Sequence, residues 1–116
     1  MKPEDCHINY IELLTHNLVK TKAFYTAVFN WKFTDYGEHY IAFDNSGMQG
    51  GFEKTTAPIV NGALIVLYHS NLQEIKTKVV EAGGLISKEI FEFPGGRRFH
   101  FLDPSGNDLA IWSDNK

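Results

Sequence analysis

The chain has one cysteine, Cys6, so no disulfide can form within it, and a reducing compartment is the expectation. It has no basic excess. The formal net charge is -3, and the longest Lys/Arg cluster is Arg97-Arg98, which argues against nucleic acid as a partner because phosphate neutralisation needs a basic face. No apolar run approaches the length of a membrane span, and the opening MKPEDCHINY lacks the apolar core of a signal peptide. A cytoplasmic protein without membrane contact is expected. Glycine pairs occur at Gly50-Gly51, Gly83-Gly84 and Gly95-Gly96, but none has the context of a phosphate-cradling loop, so nucleotide cofactors are unsupported.

What is present is an ordinary globular composition, 43% hydrophobic and 22% charged, with a modest surplus of rings: nine Phe, five Tyr and two Trp. Rings stiffen cores and also line pockets for flat or apolar ligands. At 116 residues the chain reads as one domain, able to bury roughly two thirds of its unfolded surface.

The most legible stretch is the last, FPGGRRFHFLDPSGNDLAIWS, Phe93 to Ser113. Two alternating runs, Arg98–Leu102 and Asp108–Trp112, flank Asp103-Pro104-Ser105-Gly106, whose residue types suit a type I turn. A hairpin follows, with Arg98 and His100 on one face and Phe99 and Phe101 on the other. His7–Leu14 reads as a first strand, with Ile8, Tyr10, Glu12 and Leu14 on one side. Asn17 is placed to cap a helix over Leu18 to about Phe29, and Asn30 to end it in the left-handed conformation. Trp31–Tyr36, Tyr40–Asp44 and Met48–Lys54 are strand candidates separated by glycine turns. Glycines inside the last of these mark a bulge or a close approach to the backbone.

After a connector at 55–61 the pattern restarts. Ala63–Tyr68 is an apolar strand, and Asn71 with Glu74 forms a capping-box-like pair. Leu72, Ile75, Val79 and Ala82 have helical spacing before Gly83-Gly84, and Leu85–Phe93 is another strand. The offset between Asn17 and Asn71 is 54, as is that between Asn30 and Gly84, which predicts a duplicated β-α-β-β-β unit. The boundaries are about 5–54 for the first unit and 62–114 for the second. Each unit presents a curved sheet with its helix on one side, and a second unit closing on the other side would enclose a cleft.

With YIELLTHNLVKTKAFYTAVFNWKF in the first half and FPGGRRFHFLDPSGNDLAIWS at the end, the chain resembles the vicinal-oxygen-chelate superfamily, which includes glyoxalase I, bleomycin-resistance proteins and extradiol dioxygenases. The resemblance implies an α+β fold of two βαβββ modules. They form a half-open, mostly antiparallel, barrel-like sheet with helices outside, frequently in homodimers, around a small-molecule cleft. It does not settle the activity, since the scaffold hosts lyases, oxygenases, epimerases and non-catalytic binders. Many such enzymes hold a divalent metal through His and Glu at four inward strand positions. Here those positions fall on Tyr10, on Leu64, near Gly51 with Glu53 the nearby carboxylate, and on Ala110, four residues after Gly106. A stable site needs three or four converging donors, so no metal or other cofactor is expected.

The remaining polar candidates are few. Glu12, on the Tyr10/Leu14 face of what reads as a central strand, is costly to bury unpaired and so is a candidate general base, or else an ion-pair partner of Arg98 or Lys32. Arg98 suits bidentate capture of a carboxylate or phosphate, and His100 titrates near neutrality. Tyr10, Tyr40, Phe52, Tyr68 and Trp112 are the expected cavity rings. Two functions survive: a metal-independent protein binding an unidentified small molecule, and a glyoxalase-like lyase or isomerase using Glu12 with an atypical divalent metal. His7, His39 and His69 could serve such a metal only by being histidines, and His16 and His69 border the helix caps.

Overall fold

The computed structural model describes residues 3–115. Residues up to Pro58 form one compact unit and those from Ile59 a second, dividing within the connector. The first unit runs β1 (Ile11–Thr15), α1 (Leu18–Phe29), β2 (Lys32–Asp35), β3 (Tyr40–Asp44) and β4 (Gly50–Lys54). The second runs β5 (Ile65–Tyr68), α2 (Leu72–Glu81), β6 (Leu85–Phe93), β7 (Gly96–Leu102) and β8 (Asp108–Ser113). Each unit is a four-stranded mixed sheet, ordered β1-β4-β3-β2 and β5-β8-β7-β6, with one parallel pair and two antiparallel pairs.

Both helices begin on the asparagines the sequence marks. Asn17 accepts from the Lys20 N–H at 2.9 Å, and Asn71 from the Glu74 N–H at 3.1 Å. The second cap differs from the expected box: the Asn71 N–H is taken by Nδ1 of His69 at 3.0 Å, the role assigned to Glu74. Asn30 ends α1 at φ 59°, as its tolerance of the left-handed region predicts. In the final hairpin the Gly106 N–H donates to the Asp103 carbonyl at 2.9 Å, closing the turn. The buried Asp103 carboxylate accepts from the Ser105 and Asn107 N–H groups, both at 2.9 Å.

Each helix covers one face of its own sheet. In the first unit Tyr25 of α1 stacks on Trp31 at 4.8 Å and meets Phe52 at 5.1 Å, with Phe43 closing the cluster. Gly50 makes room for it, because a Cβ there would lie 2.4 Å from the Phe43 ring and 2.2 Å from the Ile11 carbonyl. In the second unit Leu72, Ile75 and Val79 of α2 are buried along with Phe99, Phe101, Leu109 and Ile111.

Two expectations about β1 are corrected. The strand starts at Ile11, not His7, because its partner β4 starts at Gly50 and pairs first with Ile11. His7 instead contacts Glu4 locally, at 2.8 Å. The strand is also at the edge of its sheet, so Glu12 is exposed and carries no cost of an unpaired buried charge.

Candidate functional site

The face of each sheet turned away from its helix is where polar chemistry collects. In the first unit the register sets Glu12, Gly51, Ala42 and Thr34 in one row across the four strands. The missing side chain at Gly51 is filled by the Tyr40 ring. A Cβ there would sit 2.3 Å from the Tyr40 hydroxyl and 2.6 Å from its ring carbon. The close approach that glycines within a strand imply is therefore made by a tyrosine. Laid across β4, Tyr40 brings its hydroxyl to 2.5 Å from that of Tyr10, beside Glu12. Burial first, then the Tyr10 hydrogen bond and the neighbouring Glu12 carboxylate, push the Tyr40 pKa well above its ordinary value. A shallow pocket of about 380 Å³ opens beside this group, lined by Tyr10, Thr34, Tyr36, Tyr40 and Gln49.

In the second unit the corresponding rows read Val66, Ala110, His100, Lys88 and Tyr68, Trp112, Arg98, Phe91. Val66 and Tyr68 remain 45% and 52% exposed, large apolar surfaces for a folded sheet. Tyr68 meets Trp112 edge-on at 5.1 Å, and Phe93 meets Trp112 at 6.3 Å. The Arg98 guanidinium lies over two rings, Phe91 at 5.3 Å and Phe93 at 5.6 Å. His100 stacks on Phe91 at 5.9 Å, and the Lys88 ammonium sits over the same ring at 5.3 Å. Burial, then the Arg98 charge, hold the His100 pKa below its ordinary value, with Lys88 adding to the effect and Asp108 opposing it. Tyr68 donates to the Asp114 carboxylate at 2.7 Å, which pushes the tyrosine pKa up.

The site residues expected from sequence thus divide between the units: Tyr10, just ahead of β1, with Glu12 and Tyr40 in the first, and Tyr68, Arg98, His100 and Trp112 in the second. Phe52 belongs with neither group. It pairs with Leu13 and Ile41, is fully buried, and packs beneath α1 on the opposite side of the sheet from Tyr40. It is a core residue. Sequence reading missed Phe91, Phe93 and Lys88. β6 shifts register between Ile86 and Lys88 and again between Lys88 and Phe91, so simple alternation fails to place Lys88 and Phe91 on one side.

The donor set does not fit the metal site common among such proteins. Leu64 and Ala110 have no ligating atom, and among the described residues no three His, Cys, Asp or Glu side chains are grouped to hold an ion. Two of the other histidines are engaged elsewhere: Nε2 of His16 is 2.9 Å from the Ala57 carbonyl, and His69 serves the α2 cap.

Two four-stranded mixed sheets of the pattern βαβββ, each with one helix-free face, define the fold of the glyoxalase/bleomycin-resistance type. The chain belongs to the Glyoxalase/Bleomycin resistance protein/Dioxygenase superfamily, whose family model matches residues 7–111. Fold likeness agrees. A genomically encoded fosfomycin resistance protein, FosX, from Listeria monocytogenes superposes with a TM-score of 0.80 at 18% identity, over 95% of this chain and 94% of that one. A glyoxalase-related enzyme from Fulvimarina pelagi gives 0.79 at 17% identity, over 93% and 88%. The protein CFP32 of Mycobacterium bovis, which carries a glyoxylase name, is 26% identical over 93% of this chain. The chain spans 46% of the length of that relative. No helix among the described residues is long and apolar enough to cross a membrane.

Proposed function

We propose that this chain is a small-molecule-binding protein of the glyoxalase/bleomycin-resistance type, working without the superfamily's usual metal, with the helix-free face of its second unit as the ligand surface. The observation that carries this reading is the concentration of partly exposed apolar and aromatic side chains there: Val66, Tyr68, Trp112, Phe91 and Phe93. A sheet face this apolar gains free energy by covering itself, at roughly 25 cal/mol per Å² of apolar area removed from water. Residency in the cytoplasm and a homodimer complete the proposal, the latter on the family resemblance.

Native mass spectrometry of the purified chain should reveal a copurified small molecule, or a screen of flat apolar compounds should raise the melting temperature. Divalent ions should produce no such shift. Failure of every compound to bind would remove the reading. A second reading, a glyoxalase-like lyase or isomerase with Glu12 as base and an atypical divalent ion, draws support from the Tyr10–Tyr40–Glu12 group. Stoichiometric Zn or Ni in the purified protein, with turnover lost in Glu12→Gln, would favour it.

A further inference from the structure

Arg98 is a cation without a counter-ion: it makes no ion pair among the described residues, and its Nε is buried with no hydrogen-bond partner. The rings of Phe91 and Phe93 account for this, since they strip water from the guanidinium while offering only their π faces in return. Ring contact offsets part of the lost hydration but leaves directional N–H donors unused. His100, two residues along the same strand, repeats the situation. Its Nε2 is also buried and unpartnered. Two such atoms side by side on one sheet face are a deficit that a ligand can fill.

The sign of that ligand's charge follows from the neighbours. Lys88 stands over the ring that Arg98 also contacts, so β6 and β7 bring two permanent cations to this face. Asp108 of β8 is the acidic group felt by His100, and it pairs in register with Leu102, two positions from His100. The Tyr68 hydroxyl is already committed to Asp114 at 2.7 Å. A neutral apolar ligand would cover the rings and leave the Arg98 and His100 deficit in place, and a cation would be repelled. An oxyanion answers both requirements, because a planar guanidinium matches a carboxylate or phosphonate and charge-assisted bonds strengthen where water is excluded.

We infer that the second unit's helix-free face binds an organic anion, its carboxylate or phosphonate head on Arg98 and His100 and its flat apolar body against Tyr68 and Trp112. This rests on the proposed use of that face as a ligand surface and adds the ligand's charge. Binding should tighten as pH falls, because an anion favours protonated His100. Lys88 from β6, Arg98 from β7 and Asp108 from β8 face that ring, while the β5 residue in its row is Val66.

Isothermal titration calorimetry of the full chain with benzoate, phenylphosphonate and the neutral isostere benzamide tests it. At least one anion should bind about tenfold or more tightly than benzamide, and the better of the two identifies the head group. Arg98→Met, which keeps an apolar stem between the phenylalanines, should erase that advantage, bringing the anion-to-benzamide affinity ratio close to one. Equal affinity for anion and amide, or an anion preference that survives in Arg98→Met, overturns the inference while the ligand surface stands. No binding by any of the three removes both. Should Arg98→Met not fold, the anion-to-amide ratio of the wild-type chain decides.

Discussion

The two units share a backbone plan and differ in what they display on it. Both cap their helix with an asparagine, both lay a parallel pair beside two antiparallel pairs, and both bury rings or branched chains beneath the helix. Their helix-free faces have opposite character. The first unit sets Glu12, Glu53 and Tyr40 there, with the Tyr40 hydroxyl bonded to that of Tyr10 beside Glu12. The second sets Lys88, Arg98 and His100 among phenylalanines and a tryptophan. The helix caps and the positions packed beneath each helix are alike in both units, whereas the helix-free faces differ. Function is therefore to be sought in the differences.

Substitutions can test that division, beginning with the largest expected effect. Phe52 and Ile111 occupy equivalent register positions, opposite Leu13 and Leu67. Truncating either to alanine should cost about 3–5 and about 2–5 kcal/mol respectively in urea denaturation. If Phe52→Ala instead left stability intact and altered ligand affinity, the assignment of Phe52 to the core would be wrong. Next, Gly51→Ala should drive Tyr40 off β4, for about 1–3 kcal/mol. In an ultraviolet pH titration one tyrosine should then return toward its ordinary pKa. Removing either cap, Asn17→Ala or Asn71→Ala, should cost about 1 kcal/mol and similar amounts in both units. A much larger loss at one of them would show that the shared plan is not equally supported.

The smallest effects are the pH terms, and the two faces differ in sign. The folded chain holds His100 below 6.5, so the unfolded chain binds more protons as pH falls through that value. Stability should decline as pH drops below about 6.5, and less so in His100→Gln. Tyr40 is held above 10, so the unfolded chain loses its proton first as pH rises past that value. Stability should decline there too, and less so in Tyr40→Phe. Guanidinium denaturation midpoints across pH, at fixed ionic strength, would separate the two.

Much of the frame is readable in local chemistry. Asn17, Asn71, Asn30 and the Asp103–Gly106 turn act through groups a few residues away, so their roles appear in any window of sequence that contains them. Strict alternation also places Arg98 and His100 on the side of β7 opposite Phe99 and Phe101, the pair buried in the second core. Reading fails where pairing between distant strands decides. Glu12 resembles a buried charge until β1 proves to be an edge strand. Phe52 resembles a cavity ring until its register with Leu13 and Ile41 turns it under α1.

By itself the sequence determined the duplication, the helix limits, the hairpin turn and the superfamily, because each is written in residue types at short or fixed separations. Only the tertiary structure decided which side chains gather on the helix-free faces. The two register shifts in β6 turn Lys88, Phe91 and Phe93 toward Arg98 and His100, and the gap at Gly51 lets Tyr40 reach Tyr10. Such placements depend on one strand's alignment with another, and no spacing along a single strand encodes that alignment.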